Sequence, residues 1–184
     1  DNRLRLNGAI FQTTYEDIQI VVQRGVSPSN ENLAEAEING LELELEVLPT
    51  DWVLVNASVG YLDAGYTKID PAVAPLLINR FGQRITTDTQ LQNTPEWTSS
   101  LAVQLTLSEA WSANINLSYT SRVENDVFNT PLLSQDGYTL LGASLMYEPN
   151  ENWRVTLGGT NLTDERYIVS GFEAGALPFT MGSY

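Results

Sequence analysis

The sequence contains no cysteine and no histidine. Without cysteine there is neither a disulfide framework nor a thiolate metal site. Without histidine the commonest general base and the commonest transition-metal ligand are gone, and a Ser-His-Asp triad cannot be assembled. Basic residues are scarce: 9 Lys and Arg stand against 23 Asp and Glu, a net charge of −14. Such a chain repels phosphate backbones and excludes nucleic acid as a partner. Charged residues together make up only 17%, below the usual ~25%. No apolar run approaches the roughly 18 residues of a transmembrane helix, and no signal peptide opens the sequence. The chain starts DNRLRLNG, without Met, and stops at PFTMGSY in mid-pattern, which predicts an excerpt of a longer protein.

What is present is a period of two. Leu41, Leu43, Leu45 and Val47 alternate with Glu42, Glu44 and Glu46. Val53, Val55, Ala57, Val59 and Tyr61 alternate with Asn56, Ser58 and Gly60. The same pattern runs through Trp97–Leu107 and Trp111–Tyr119, more weakly through Leu141–Tyr147, and opens again at Trp153. One apolar face per pleated strand explains it, and no window has a comparable helical period. The first segment switches parity, with Leu4, Leu6 and Ile10 on one side and Phe11 and Tyr15 on the other, before Ile18, Ile20 and Val22 return to the first. A bulge near Tyr15–Asp17 would account for this. The reading gives seven strands, at about 3–22, 35–48, 52–64, 97–107, 111–121, 138–147 and 153–162.

The connections at 49–51, 108–110 and 148–152 are short, whereas those at 23–34, 65–96 and 122–137 are long and polar. Consecutive hairpins therefore sort every short turn to one end of the sheet and every long loop to the other, as in an antiparallel transmembrane β-barrel. The segments PTDWVLVNASVGY, SEAWSANINLSY and NENWRVTLGGTN repeat one device: a short polar turn with an acid, a Trp, then a strand. Trp52, Trp111 and Trp153 thus share one level, flanked by Tyr147, while Trp97, Tyr61 and Tyr119 fall near the other strand ends. Aromatics at two heights are expected where hydrocarbon meets water on each side. Trp52 is off parity with its strand, so its ring belongs to the turn. Nine residues at about 3.3 Å each, tilted by ~40°, cover a height close to the ~25 Å apolar band of such barrels.

If the Leu face meets lipid, Glu42, Glu44, Glu46 and Gln104 face the lumen. Acids at every second position stand roughly 7 Å apart, too far for three to share one ion, so no metal site follows. Asn161 and Asp164 either reach the lumen contents or close a strand end, and the turn role is the more ordinary for these residues. The 65–96 loop is long enough to be functional, and Tyr66, Arg80, Phe81 and Arg84 are its candidate ligand contacts. No pair of acids faces across a cleft, and no cofactor or enzyme signal is present.

Several phrases resemble the C-terminal barrel region of TonB-dependent outer-membrane receptors: FQTTYEDIQI, AEINGLELELEVLPTDWVLVNASVGYLDAGYT, LQNTPEWTSSLAVQL and GYTLLGASLMYEPNENWRVTLGGTNLTDERY, over about residues 3–171. The resemblance implies a bacterial outer-membrane location and a barrel of roughly 22 strands with a plugged lumen. The whole of 1–184 would be partial barrel, with the plug domain and a last barrel strand lying outside it. It further implies uptake of a scarce nutrient such as a ferric siderophore, energised through the TonB protein. Its rivals are a passive porin-like channel and a soluble β-sandwich burying Leu41, Leu43, Leu45 and Val103.

Overall fold

The computed structural model describes residues 3–24, 27–79, 81–174 and 177–183. Seven strands form one antiparallel sheet in chain order: β1 (Leu4–Arg24), β2 (Ser27–Thr50), β3 (Val53–Ile69), β4 (Trp97–Thr106), β5 (Trp111–Thr120), β6 (Tyr138–Asn150) and β7 (Trp153–Gly159). A separate hairpin follows, β8 (Tyr167–Ala174) with β9 (Leu177–Ser183). Every neighbour in the large sheet is also the neighbour in sequence. The short turns therefore collect at one end and the long connections at the other, as the loop lengths require.

Register turns the alternation of single strands into two continuous surfaces. Directly opposed residues share a face. On one face Leu6, Leu45, Ala57, Leu101, Leu117 and Leu141 follow one another across six strands. The neighbouring row runs Leu4, Val47, Val55, Val103, Ile115 and Ala143. On the other face the row reads Asn7, Glu44, Ser58, Ser100 and Ser118. Among the described residues no second sheet lies over the apolar face, and its large side chains are exposed, up to 86% for Ile10. A β-sandwich would bury that face against a second sheet, so the arrangement is a single-layer wall.

The polarity of the two faces reverses at one height. Ile10, Leu41 and Tyr61 end the apolar belt on the outer face, and the next outward row there is Gln12, Asn39 and Asp63. On the inner face the polar residues give way, over the same step, to Phe11–Gly40–Leu62, then Thr13–Ile38–Ala64, then Tyr15–Ala36–Tyr66. Below this line the outer face is apolar and the inner face polar. Above it the outer face is polar and the inner face packs against folded loops. The parity switch at Phe11 therefore marks the rim and is not produced by the bulge. The bulge is a second, separate event: the register shifts between Tyr15 and Ile18, Asp17 has φ 55°, and Ile18 returns to the inner side opposite Ala34. That insertion keeps apolar residues facing the loop core after the strand bends.

Two expectations are corrected. Residues 23–24 and 27–34 are strand and not open loop, because β1 and β2 stay paired as far as Arg24 opposite Ser27. Residues 167–183 contain the β8–β9 hairpin, which alternation does not disclose. In both places the strict alternation of the belt has lapsed.

The buried core lies above the belt. Ala34, Ala36, Tyr66, Leu77 and Ile85 are buried together, with Ile18, Ile69, Val73, Leu91, Val127 and Phe128 packed around them. At the rim the ring of Phe11 lies over its partner Gly40, where an added Cβ would sit 2.2 Å from Cζ. Gly40→Ala is expected to cost about 1–3 kcal/mol by overpacking. In a Phe11→Ala background, with the ring gone, most of that cost should vanish; equal costs in the two backgrounds, read by unfolding of the lipid-embedded protein, would refute the ring–glycine contact.

Candidate ligand-facing loops and barrel wall

The inner wall presents carboxylates, hydroxyls and amides from β1 to β5. Glu42, Glu44 and Glu46 occupy this face of β2, and Gln104 lies on the same face of β4, opposite Leu54 and Asn114. Glu46 accepts from Arg5 and Glu44 from Asn7, both at 3.3 Å. Ser58 and Ser100 share a 2.7 Å hydrogen bond. Together Arg5, Asn7, Glu44, Asn56, Ser58 and Ser100 line a shallow groove of about 260 Å³. Such a wall offers hydrogen bonds to whatever fills the lumen.

Asn161 does not belong to this wall. Its Nδ2 donates to the Glu165 carbonyl and its Oδ1 accepts the Glu165 N–H, both at 2.9 Å, with φ 51°. Both ends of the amide thus help to close the turn after β7. Asn tolerates this left-handed backbone better than most residues.

The aromatics take two levels on the outer face. Near the short turns, Trp111 opposes Tyr147 with ring centroids 4.5 Å apart, and Trp153 follows opposite Asn150. Near the long loops, Tyr61 and Trp97 pair at 4.6 Å, with Tyr119 one row inward opposite Ser99. Trp52 sits in the Asp51–Trp52 turn, off the strand, and is exposed.

The connection 70–96 folds into a defined finger. Leu77 and Ile85 anchor its base, fully or nearly fully buried. Ile78 and Arg84 bridge across it, and the Ile85 N–H reaches the Leu77 carbonyl. Asn79 pins the tip: its Oδ1 accepts the N–H groups of Phe81 and Gln83, at 3.0 and 2.9 Å, while its Nδ2 donates to Gln83 Oε1 at 2.7 Å. Gly82, with φ 82°, makes the turn that other residues would resist. Phe81 is 49% exposed at this tip, and Arg84 is exposed with no ion pair among the described residues. Tyr66 is placed differently from expectation. It is 5% exposed inside the loop core, so it supports the loops and offers no surface to a ligand. Arg80 lies outside the described residues. A cleft between the top of β3 and residues 87–96 carries Asp63, Asp88 and Glu96 and would repel an anion.

The 121–137 connection has its own buried charge. Glu124 is almost wholly buried and accepts from Arg122 Nε at 2.7 Å and from the Ser134 hydroxyl. Arg122 also reaches Asp136 at 2.8 Å. The Glu124 hydrogen bond, chief among these contacts, holds the guanidinium charge even more firmly than usual. Sequence reasoning passed over Asn79, although Asn three residues before Gly is a turn signal. Nothing local in the sequence marks Asn129, whose partners Gln83 and Gln90 lie far along the chain.

Residues 1–162 match the family model described as TonB dependent receptor-like, beta-barrel. The chain belongs to the TonB-dependent receptor family. It is 27% identical over 176 residues to a probable TonB-dependent siderophore receptor, PiuA, of Acinetobacter baumannii, an alignment that takes in 94% of this chain and 22% of that protein. The crystal structure of the siderophore receptor PiuA from Acinetobacter baumannii superposes with a TM-score of 0.74 at 25% identity, over 99% of this chain and 24% of that one. The ferric yersiniabactin uptake receptor FyuA from Yersinia pestis gives a TM-score of 0.79 at 18% identity, over 100% and 26%. At that identity the likeness speaks for the fold alone. The chain thus spans about a quarter or less of the relatives' length. TonB-dependent receptor barrels are walls in the outer membrane of Gram-negative bacteria, and the family is one of transport receptors. In a barrel of this family the apolar outer face meets lipid, and here that face carries the Trp111–Tyr147 and Tyr61–Trp97 pairs.

Proposed function

We propose that the chain is part of the barrel of an outer-membrane receptor that takes up ferric siderophores with energy delivered through TonB. The carrying observation is the reversal of polarity at the Ile10–Leu41–Tyr61 line within a chain that matches the receptor-barrel family over residues 1–162. A lipid-facing wall with a water-facing interior, crowned by folded extracellular loops, is what such uptake needs. The similarity to a siderophore receptor supports ferric siderophores as the cargo. A plug domain of the whole protein fills the lumen against Glu42, Glu44, Glu46 and Gln104. The finger tip, with Phe81 and Arg84 and with Arg80 adjacent in sequence, contacts the incoming chelate.

The test is iron uptake by the full-length receptor in iron-starved cells that lack their own receptors. Radiolabelled iron supplied as a ferric siderophore should enter, and deletion of TonB should stop it. Uptake that persists without TonB would instead indicate a passive channel. For the finger, Phe81→Ala combined with Arg84→Gln should weaken chelate binding about tenfold, corresponding to ~1.4 kcal/mol, with membrane insertion unchanged. Unaltered affinity would remove the tip from the site.

A further inference from the structure

The two long connections come from different hairpins, yet they are bonded to each other at successive points. Gln90 N–H donates to Asn129 Oδ1 at 2.8 Å, and Asn129 Nδ2 donates back to the Gln90 carbonyl at 3.0 Å. One side-chain amide thus satisfies both backbone groups of a residue in the other loop, as a neighbouring strand would. Asn129 holds φ 52° to do so. Asn79 Nδ2 reaches Thr130 Oγ1 at 3.1 Å, and Gln83 Nε2 reaches the Asn129 carbonyl at 3.3 Å. Farther along, Gln92 Nε2 donates to the Asn125 carbonyl at 2.7 Å and the Asn93 N–H to the Glu124 carbonyl at 3.0 Å. Val127 and Phe128 complete the join by packing on the core of Leu77 and Ile85. The β8–β9 hairpin adds to the same body: Tyr167 stacks on Tyr138 at 4.4 Å, and the Ile168 N–H reaches Gln135 Oε1 at 2.7 Å.

Loops that move separately have few buried contacts and solvent-bonded backbones. These have the opposite character. We infer that the 70–96 and 121–137 connections form one rigid extracellular block, with Asn129 as its positioning residue, so that the finger tip is fixed before any ligand arrives. The role given to the tip rests on the receptor reading above. The rigidity does not. Motions that enclose a cargo then belong to loops elsewhere on the barrel, and this quadrant acts as the stationary jaw.

Spin labels at Asp88→Cys and Leu132→Cys, both exposed and one in each connection, test this in the full-length receptor reconstituted in lipid, with any other cysteine replaced. The expected result is a single narrow distance distribution in the unliganded receptor. It should stay in place when the ferric complex of a tris-catecholate or of a tris-hydroxamate chelator is added. Asn129→Ala should widen it about twofold. Asn129→Asp, which keeps the acceptor and loses the donor, should fall between. A broad or two-peaked distribution in the unaltered receptor, or a shift on adding either chelate, would overturn the fixed block. An unchanged width in Asn129→Ala would remove Asn129 as the link. If neither chelate binds, as read by tryptophan fluorescence, the functional reading fails, and the unliganded distance still decides the inference.

Discussion

Val103→Arg is expected to cost the receptor about 2–4 kcal/mol in a bilayer, while Gln104→Arg is nearly silent. Val103 lies between Val55 and Ile115 on the outer face, with Leu101 and Leu105 in the rows on either side. Trp97 marks one limit of its strand's belt, and Trp111 marks the other on the neighbouring strand. A guanidinium here lies near mid-bilayer, where its stem is short of reach to either interface. Gln104 opposes Leu54 and Asn114 on the inner face, and an Arg there joins a wall already rich in polar groups. Reversible unfolding of the full-length receptor in lipid vesicles measures both. Equal losses at the two positions would overturn the assignment of faces.

Leu77→Ala should produce an effect of similar size in a different place. Leu77 is fully buried beneath the finger, packed with Ala34, Ala36, Tyr66 and Ile85. A Leu to Ala change at such a site costs about 2–5 kcal/mol, transfer and cavity terms together. The cost falls on the loop block, because none of these residues lies within the lipid belt. Amide exchange at Ile85 and Gln90, whose N–H groups bond within the block, should therefore accelerate by roughly 30-fold or more. Exchange in β4 and β5 should not change. Leu132→Ala, at a 62% exposed position of the adjacent loop, is the control and should stay within about 0.5 kcal/mol. Faster exchange throughout the barrel would show that the block and the wall unfold together.

The lipid belt was legible because a bilayer imposes one rule on every strand that crosses it. Leu43, Val59, Leu101 and Leu117 had to share a face, and alternation revealed that face before any pairing was known. The bulge at Tyr15–Asp17 was legible because the apolar parity changes again at Ile18, where the register shifts. Above Leu41 the rule lapses. β1 and β2 continue there as paired backbone with no face in lipid, so the sequence around 23–34 read as a loop. On β1 alone the switch from Ile10 to Phe11 is indistinguishable from the bulge, because a change of surroundings and a change of register leave the same mark on one strand. Only the neighbours Leu41, Gly40 and Leu62 separate the two. Tyr66 looked available because it follows a strand into a long loop. Its burial depends on Leu77 and Ile85, which the chain brings back only after a turn. Asn161 was legible as a turn former from its residue type, and its two bonds to Glu165 hold it in that turn.

The reversal of polarity along β1 to β3 has a mechanical consequence. A wall with a belt of uniform polarity could ride up or down in the bilayer with little resistance. Here a displacement toward the periplasm would draw Asn39, Glu37 and Asp63 into hydrocarbon. A displacement outward would lift Leu41, Tyr61 and Trp97 into water. Each direction meets a restoring force, steep because charged groups are costly in lipid. The structure is in this sense a moored frame: a load drawn across its interior is resisted by the waterline of its own strands.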